Sequence, residues 1–238
     1  MKQAGKNIYR NIYVVIPAFN EEASIPKVVG DIPAGLVREV VVVSNGSTDQ
    51  TEVNARNAGA TVLREDRKGY GQACLKGLAY LAEKNAEERP DIVVFLDGDY
   101  SDYPEEMPLV LKPILEDGYD LVIGSRELGD REKGAMQPQQ IFGNWLATTL
   151  IRLLYKVKFS DLGPFRAVSY DKLLEIDMQD TNFGWTVEMQ VKAAKLKMKC
   201  TEVPVNYRRR IGVSKVTGTI KGTIMAGYKI LWTIFKLL

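Results

Sequence analysis

Residues 91–104 read DIVVFLDGDYSDYP, an apolar, β-branched run that stops at a cluster of acids. The run over residues 92–96 has the length and composition of a strand buried on both faces. Asp97 and Asp99 follow it, separated by Gly98, and Ser101, Asp102 and Pro104 complete the loop. Acids at the carboxyl end of a buried strand stand where open α/β sheets place their ligands. Two carboxylates one small residue apart can turn toward a single hard cation, and Gly98 gives the backbone the freedom for that approach. A divalent ion held by so few protein ligands keeps positions open for the phosphates of a substrate. The competing reading is a solvated acidic loop that caps the next helix; the strand in front of the acids favours the metal.

The chain contains no histidine, which removes Ser-His-Asp and Cys-His centres and every imidazole-ligated metal. A metal here is held by oxygen, and that selects Mg2+ or Mn2+. Cys74 and Cys200, the two cysteines, make neither a disulfide framework nor a thiolate zinc site, so a reducing compartment is expected. Lys and Arg number 32 against 30 Asp and Glu, a formal charge of +2 that gives no reason to expect a nucleic acid partner. The distribution is uneven, however. Acids concentrate in the first half and residues 189–238 are basic, which suits a local anionic partner. No apolar leader opens the sequence, and no run reaches the roughly 18 uncharged apolar residues of a membrane span.

Strands and helices alternate around the acidic loop. Residues 11–17 (NIYVVIP) form a first strand ended by proline, with Phe19, Asn20 and Glu21 at its carboxyl end. Residues 39–44 (EVVVVS) form a second; Asn45-Gly46 makes its turn, and Ser47, Thr48 and Asp49 cap a helix that runs to Asn57 and closes at Gly59. A third strand over 60–64, the acidic-loop strand and a fifth over 120–124 complete the regular half. This alternation predicts an α/β fold with a doubly wound, mostly parallel sheet. After Ser125 come a long polar loop, helices over 142–155, 171–176 and 184–196, a short strand in DLGPFRAVS, and a strand over 200–207. The internal proline of that last strand places it at an edge. The expected division is one domain over 1–218 and a helical appendage over 219–238.

Two stretches are suited to anions. GYGQAC, residues 69–74, is too poor a match for a dinucleotide fingerprint, but it offers backbone N–H groups and a helix N-terminus beside Arg67 and Lys68. An ordinary turn before a core helix explains it equally well. RRRIGVSK brings Arg208, Arg209 and Arg210 close to Lys215, either as a phosphate clamp or as a solvated loop.

VVIPAFNEEASI, VVVSNGSTDQT, FLDGDYSD, DLVIGSR, DLGPFRAV and EVPVNYRRRIGVSK, in that order, resemble the inverting family-2 glycosyltransferases of GT-A fold, and within them the polyprenyl- and dolichyl-phosphate sugar synthases. The resemblance spans almost the whole chain. It implies a Rossmann-like GT-A domain that moves a hexose from a nucleotide-diphosphate sugar to a polyprenyl phosphate at the membrane surface. By position, Pro17, Phe19, Asn20 and Glu21 would line the base and ribose. Asp97 and Asp99 would hold the metal, with Ser101 where the family has a third ligand, usually Gln. Arg126, Arg209, Arg210 and Lys215 would face the acceptor phosphate and the donor diphosphate. Ser44 replaces an aspartate that contacts the base, and a second acceptor-binding arginine has no match in GAMQPQQIFGN.

The residues themselves agree with a glycosyl transfer. Expelling a nucleoside diphosphate requires its charge to be neutralised, which a carboxylate-held metal and arginines supply. A phosphate acceptor is already ionised and needs no base. A hydroxyl acceptor would need one, for which Asp161 and Glu188 are candidates; their alternative roles are to cap a turn and to pair with a basic neighbour. The rival readings are transfer to a lipid or soluble hydroxyl, and a non-catalytic sugar-nucleotide-binding module. In residues 219–238, Lys221, Lys229 and Lys236 share one narrow helical face and apolar residues cover most of the rest. Such a helix packs on the body or on a second subunit, or lies in the membrane interface, where lysines snorkel and Trp232 sits at headgroup depth. A lipid-linked substrate favours the interface, placing the protein peripherally at the cytoplasmic, inner face of an anionic membrane.

Overall fold

The computed structural model describes residues 11–212 and 220–238. Among the described residues, seven strands form one sheet: β1 (Ile12–Ala18), β2 (Glu39–Ser44), β3 (Thr61–Arg64), β4 (Ile92–Phe95), β5 (Leu121–Ser125), β6 (Arg166–Ser169) and β7 (Cys200–Pro204), in the spatial order β3-β2-β1-β4-β6-β5-β7. β6 runs antiparallel to both its neighbours, and the other pairings are parallel. Parallel strands buried on both faces carry apolar side chains at every position, and β1 and β4 do so without exception.

The period of two along each strand divides the core into two layers. Tyr13, Val15, Val41, Val43, Val93 and Phe95 face one side, where α3 (Tyr70–Ala82), α5 (Pro138–Tyr155), α6 (Tyr170–Ile176), α7 (Trp185–Lys195) and α8 (Ile220–Lys236) pack. Ile12, Val14, Ile16, Val42 and Val94 face the other, under α1 (Ile25–Gly30), α2 (Thr51–Asn57) and α4 (Met107–Asp117).

Two elements differ from their expected extents by more than two residues. α5 begins at Pro138 rather than at 142, because Gln137 and Gln140 form a reciprocal capping box and the proline occupies a first-turn position that needs no N–H donor. β7 is an edge strand, but it stops at its proline, and the chain beyond it pairs Tyr207 with Asp102 and Arg131 in isolated bridges.

The boundary expected at 218/219 lies outside the described residues. α8 itself does not stand apart. Ile234 and Thr233 are buried against the body, the Tyr155 hydroxyl donates to the Ile234 carbonyl, and Lys229 Nζ lies 2.9 Å from Asp180. Lys229 is therefore tied to the protein, whereas Lys236 is exposed. The opposite face, with Ile224, Tyr228, Trp232 and Phe235, is more than half exposed. No helix among the described residues is long and apolar enough to cross a membrane.

Candidate functional site

After β1 the chain moves to β2 and β3 on one side, and after β4 it moves to the other, so the carboxyl ends of β1 and β4 flank a topological switch point. A cavity of 370 Å³ opens there. Pro17, Phe19 and Glu21 line it from the end of β1, Lys68 and Gly69 from the approach to α3, and Asp97, Gly98 and Asp99 from the end of β4. A second cavity of 670 Å³ continues from it. The two share Tyr70, Asp97, Phe183 and Arg210, and the second extends to Arg126, Tyr207 and Arg209 and to Ala226 and Ile230 of α8.

Asp97 accepts a 2.9 Å hydrogen bond from the Tyr70 hydroxyl, and burial pushes its carboxyl up despite Tyr70, Arg210 and Arg126. Asp99 is 2% exposed. Its Oδ1 takes the backbone N–H of Ser101 at 2.9 Å and the Ser101 hydroxyl at 2.5 Å. Its Oδ2 accepts no hydrogen bond and meets the Arg210 guanidinium. Two carboxylates thus face one cavity, and the outer oxygen of Asp99 already has a cation beside it. That donor set fits a hard divalent ion which takes its remaining ligands from a diphosphate. Among the described residues no three Asp, Glu or Cys side chains are placed to hold a metal together. Ser101 is spent on orienting Asp99. Asp102, next in the loop, is 1% exposed, and burial followed by the Asp97 charge pushes its carboxyl up to about 8.

The donor-side residues do not all reach the cavity. Phe19 and Lys68 do, with Lys68 Nζ 6.0 Å from the ring centroid, a surface on which a base can stack. Asn20 instead clips two loops together: its N–H donates to Ser47 and its side chain accepts from the Thr48 N–H, at a backbone φ of 54°. Ser44 is fully buried and lines neither cavity. The neighbouring Asn45 does line the first. Its amide donates to the carbonyls of Glu65 and Arg67 and accepts from Gly69 N–H, fixing the 65–69 turn. The glycines of that turn have a packing reason. A Cβ on Gly71 would stand 1.9 Å from the Asp180 carbonyl oxygen, and one on Gly69 2.1 Å from that of Thr181.

Arg126 and Asp161 form a buried pair. Asp161 is wholly inaccessible, and its carboxylate accepts from Arg126 N–H at 2.8 Å, Nε at 2.8 Å and Nη2 at 2.7 Å. Burial alone would raise the Asp161 carboxyl; Arg126 overrides it and holds the group below the usual carboxylate range. The fork thereby fixes the guanidinium in the larger cavity, where it also lies 5.1 Å over the Tyr207 ring. Asp161 acts through Arg126.

Glu188 lines neither cavity. Its carboxylate accepts the backbone N–H groups of Gln179 and Asp180, the latter at 2.6 Å, and pairs with Lys192 at 2.8 Å. Glu188→Gln is expected to lower stability by about 1–3 kcal/mol through weakened bonds to buried N–H groups. Turnover per folded molecule should stay within about threefold, whereas loss of a base costs roughly 10²–10⁴-fold. Denaturant titration and kcat on the same sample check this, and a drop of that larger size in folded variant would make Glu188 the base.

The three successive arginines separate. Arg208 stacks over Tyr100 and Tyr103, at 3.4 and 4.1 Å from their centroids, and donates to the carbonyls of Tyr100 and Asp102, bracing the acidic loop. Arg209 is held by the Lys133 carbonyl and Glu132, and it lines the larger cavity. Arg210 lines both cavities and pairs with Asp99. Lys215 lies outside the described residues. Tyr70, Asn45, Phe183 and Tyr207 join the site without a signal of their own in the sequence; Tyr70 stood inside a stretch read only for its glycines.

Residues 13–176 match the family model "Glycosyl transferase family 2". An uncharacterized glycosyltransferase of Mycobacterium tuberculosis is 33% identical over 218 residues, covering 90% of this chain and 94% of that protein. The dolichyl-phosphate hexose transferase of Haloferax volcanii is 31% identical over 210 residues, with 87% of each chain covered. Among solved structures, glucosyl-3-phosphoglycerate synthase from M. tuberculosis, in complex with Mn2+, uridine diphosphate and glucosyl-3-phosphoglycerate, matches with a TM-score of 0.74. Identity there is 25%, over 96% of this chain and 80% of the synthase.

Proposed function

From the premise that the chain belongs to glycosyl transferase family 2 and has the GT-A fold, we propose that it is an inverting hexosyltransferase. It moves a hexose from a nucleotide-diphosphate sugar to a polyprenyl-type phosphate, working peripherally at the inner face of the cytoplasmic membrane. The observation that carries this reading is the make-up of the 670 Å³ cavity. Arg126, Arg209 and Arg210 give it a cationic side, and Ala226 and Ile230 of α8 give it an apolar wall. An anionic head with a hydrocarbon tail matches both.

The base and ribose lie along Pro17, Phe19 and Glu21, and the diphosphate reaches Asp97 and Asp99. When bound there, Mg2+ or Mn2+ neutralises charge on the departing nucleoside diphosphate. Arg210, in contact with both cavities, adds a fixed positive charge to the same leaving group. The Arg126 guanidinium, fixed by Asp161, orients the acceptor oxyanion for attack at the anomeric carbon. Both carboxylates considered as a base for a hydroxyl acceptor are engaged elsewhere, Asp161 by Arg126 and Glu188 by backbone N–H groups. A phosphate nucleophile needs neither.

A second reading, a small soluble phosphorylated acceptor, draws support from the match to the phosphoglycerate-utilising synthase. One assay separates the two. Nucleotide sugars labelled in the hexose are incubated with Mn2+ and either a short polyprenyl phosphate in detergent or 3-phosphoglycerate. Label extracted into organic solvent, and abolished by EDTA, is the expected result. Transfer only to phosphoglycerate selects the second reading, and no metal-dependent turnover of any donor leaves a sugar-nucleotide-binding module.

A further inference from the structure

A third cavity, of 440 Å³, lies on the flank of α5, between that helix and the segment 158–160. It shares no lining residue with the other two. Trp145, Thr148, Thr149 and Arg152 line it from the helix, and Lys158 and Ser160 from the segment. Its cations are unspent. Among the described residues, every arginine except Arg152 has a hydrogen-bond or ion-pair partner. Lys158, too, has no hydrogen-bond or ion-pair partner among the described residues. The acid at the rim, Glu127, is 2.7 Å from Arg131 and neutralised there. The Thr148 hydroxyl is already donated to the carbonyls of Asn144 and Trp145, so the two free cations around the recess supply the seat for a phosphate.

The rim tells what the phosphate is attached to. Trp145 is 58% exposed, and Phe142, one turn back, stands 5.8 Å from it, ring to ring. Leu153 continues the exposed apolar stripe of α5. α8 packs beside α5 on the same layer of the core and exposes Tyr228, Trp232 and Phe235. Scattered apolar residues on a surface are ordinary, but aromatic residues gathered along two adjoining helices mark a contact face. Aromatic side chains beside free cations suit the headgroup depth of an anionic leaflet.

We propose that the cavity bounded by Trp145, Arg152 and Lys158 seats the headgroup of an anionic phospholipid and sets α5 and α8 on the membrane. The site rests on the membrane part of the functional reading. It is independent of the acceptor's identity, and its test uses no transfer reaction. The full-length protein is sedimented with vesicles of phosphatidylcholine alone and with vesicles containing about a third phosphatidylglycerol. Arg152→Gln with Lys158→Gln should weaken binding to the anionic vesicles by roughly thirtyfold, as two lost surface cations imply. Binding to neutral vesicles and metal-dependent donor hydrolysis should not change. Arg56→Gln with Lys112→Gln, on the helices across the sheet, removes the same charge and should leave vesicle binding as it was. Equal binding to both vesicle types, an unaffected Arg152/Lys158 variant, or equal losses in the two variants would overturn the proposal. So would competition by inorganic phosphate or glycerol phosphate at millimolar concentration, which would make the cavity a site for a free anion.

Discussion

Asp99→Asn is expected to lower metal-dependent transfer by at least about three orders of magnitude, since a bound cation contributes several kcal/mol of charge stabilisation and 1.36 kcal/mol is tenfold in rate. The substitution is nearly isosteric. It keeps an oxygen for the Ser101 hydroxyl and N–H, which hold Oδ1, and it removes the charge that Oδ2 presents to the cavity. The fold should therefore persist, with near-UV circular dichroism unchanged. Mn2+ binding in the presence of the nucleoside diphosphate, followed by electron paramagnetic resonance, should weaken in parallel with the rate. EDTA should reduce the unmodified enzyme to the level of the variant. Wild-type rates in the variant at saturating Mn2+ or Mg2+ would show that this pair of acids is not a metal site.

Asp161→Asn should act on stability first. Breaking a buried ion pair by removing one partner costs about 3–5 kcal/mol because the remaining charge is left uncompensated. For a domain stable by about 5–15 kcal/mol, that is a large fraction of the whole. Asparagine can still accept one bond from Arg126, but the two-pronged fork is lost, so the guanidinium in the cavity loosens as well. Denaturant midpoints and kcat/KM should both fall. Adding Arg126→Met should recover part of the stability and none of the activity, since the uncompensated cation is then gone. The pH dependence has a defined sign. The folded-state pKa of Asp161 is depressed below the unfolded value of about 3.9, so the pair's contribution is complete above that value and is lost as pH falls through the folded-state pKa. Acid titration of wild type should show this loss below about pH 4, and the asparagine variant should lack it. An Asp161→Asn protein as stable as wild type would sink the account.

What was legible in the sequence follows from how local the signal is. The strands from β1 to β5 could be read from unbroken apolar runs, and the acids at the end of β4 from their position after one. Phe19 and Lys68 are placed together by the turns that follow β1 and β3, and turn chemistry is local. The antiparallel direction of β6 could not be read, because RAVS carries no mark of which neighbours it joins. Nor could the partner of Asp161, which lies 35 positions away. For Glu188 the pairing with a basic neighbour was legible and is met by Lys192, four residues on, but its bonds to the Gln179 and Asp180 N–H groups were not. A carboxylate's role depends on which donors the tertiary fold delivers to it. The same holds for Arg208, Arg209 and Arg210: neighbours in the chain, they take different partners, Arg208 bracing the acidic loop while Arg209 and Arg210 line the larger cavity. α8 had two competing readings, packed or membrane-interfacial; the buried Thr233 and Ile234 answer to the first on one face, and the second stays a proposal for the exposed one.

Phe183, Tyr70, Asp97 and Arg210 belong to the walls of both cavities at once. Phe183 sits in a loop clamped on one side by α3, where Thr181 accepts from Gln72 N–H, and on the other by α8 through Asp180 and Lys229. A party wall of this kind makes the two ligands thermodynamically linked. Where a ligand in one cavity displaces a shared wall residue, the resulting coupling free energy is a single quantity with two readouts. Whatever factor the nucleotide sugar imposes on acceptor affinity, the acceptor must impose the same factor on the nucleotide sugar. A change at Phe183 that alters this coupling alters it identically in both readouts, whatever it does to each ligand's own affinity.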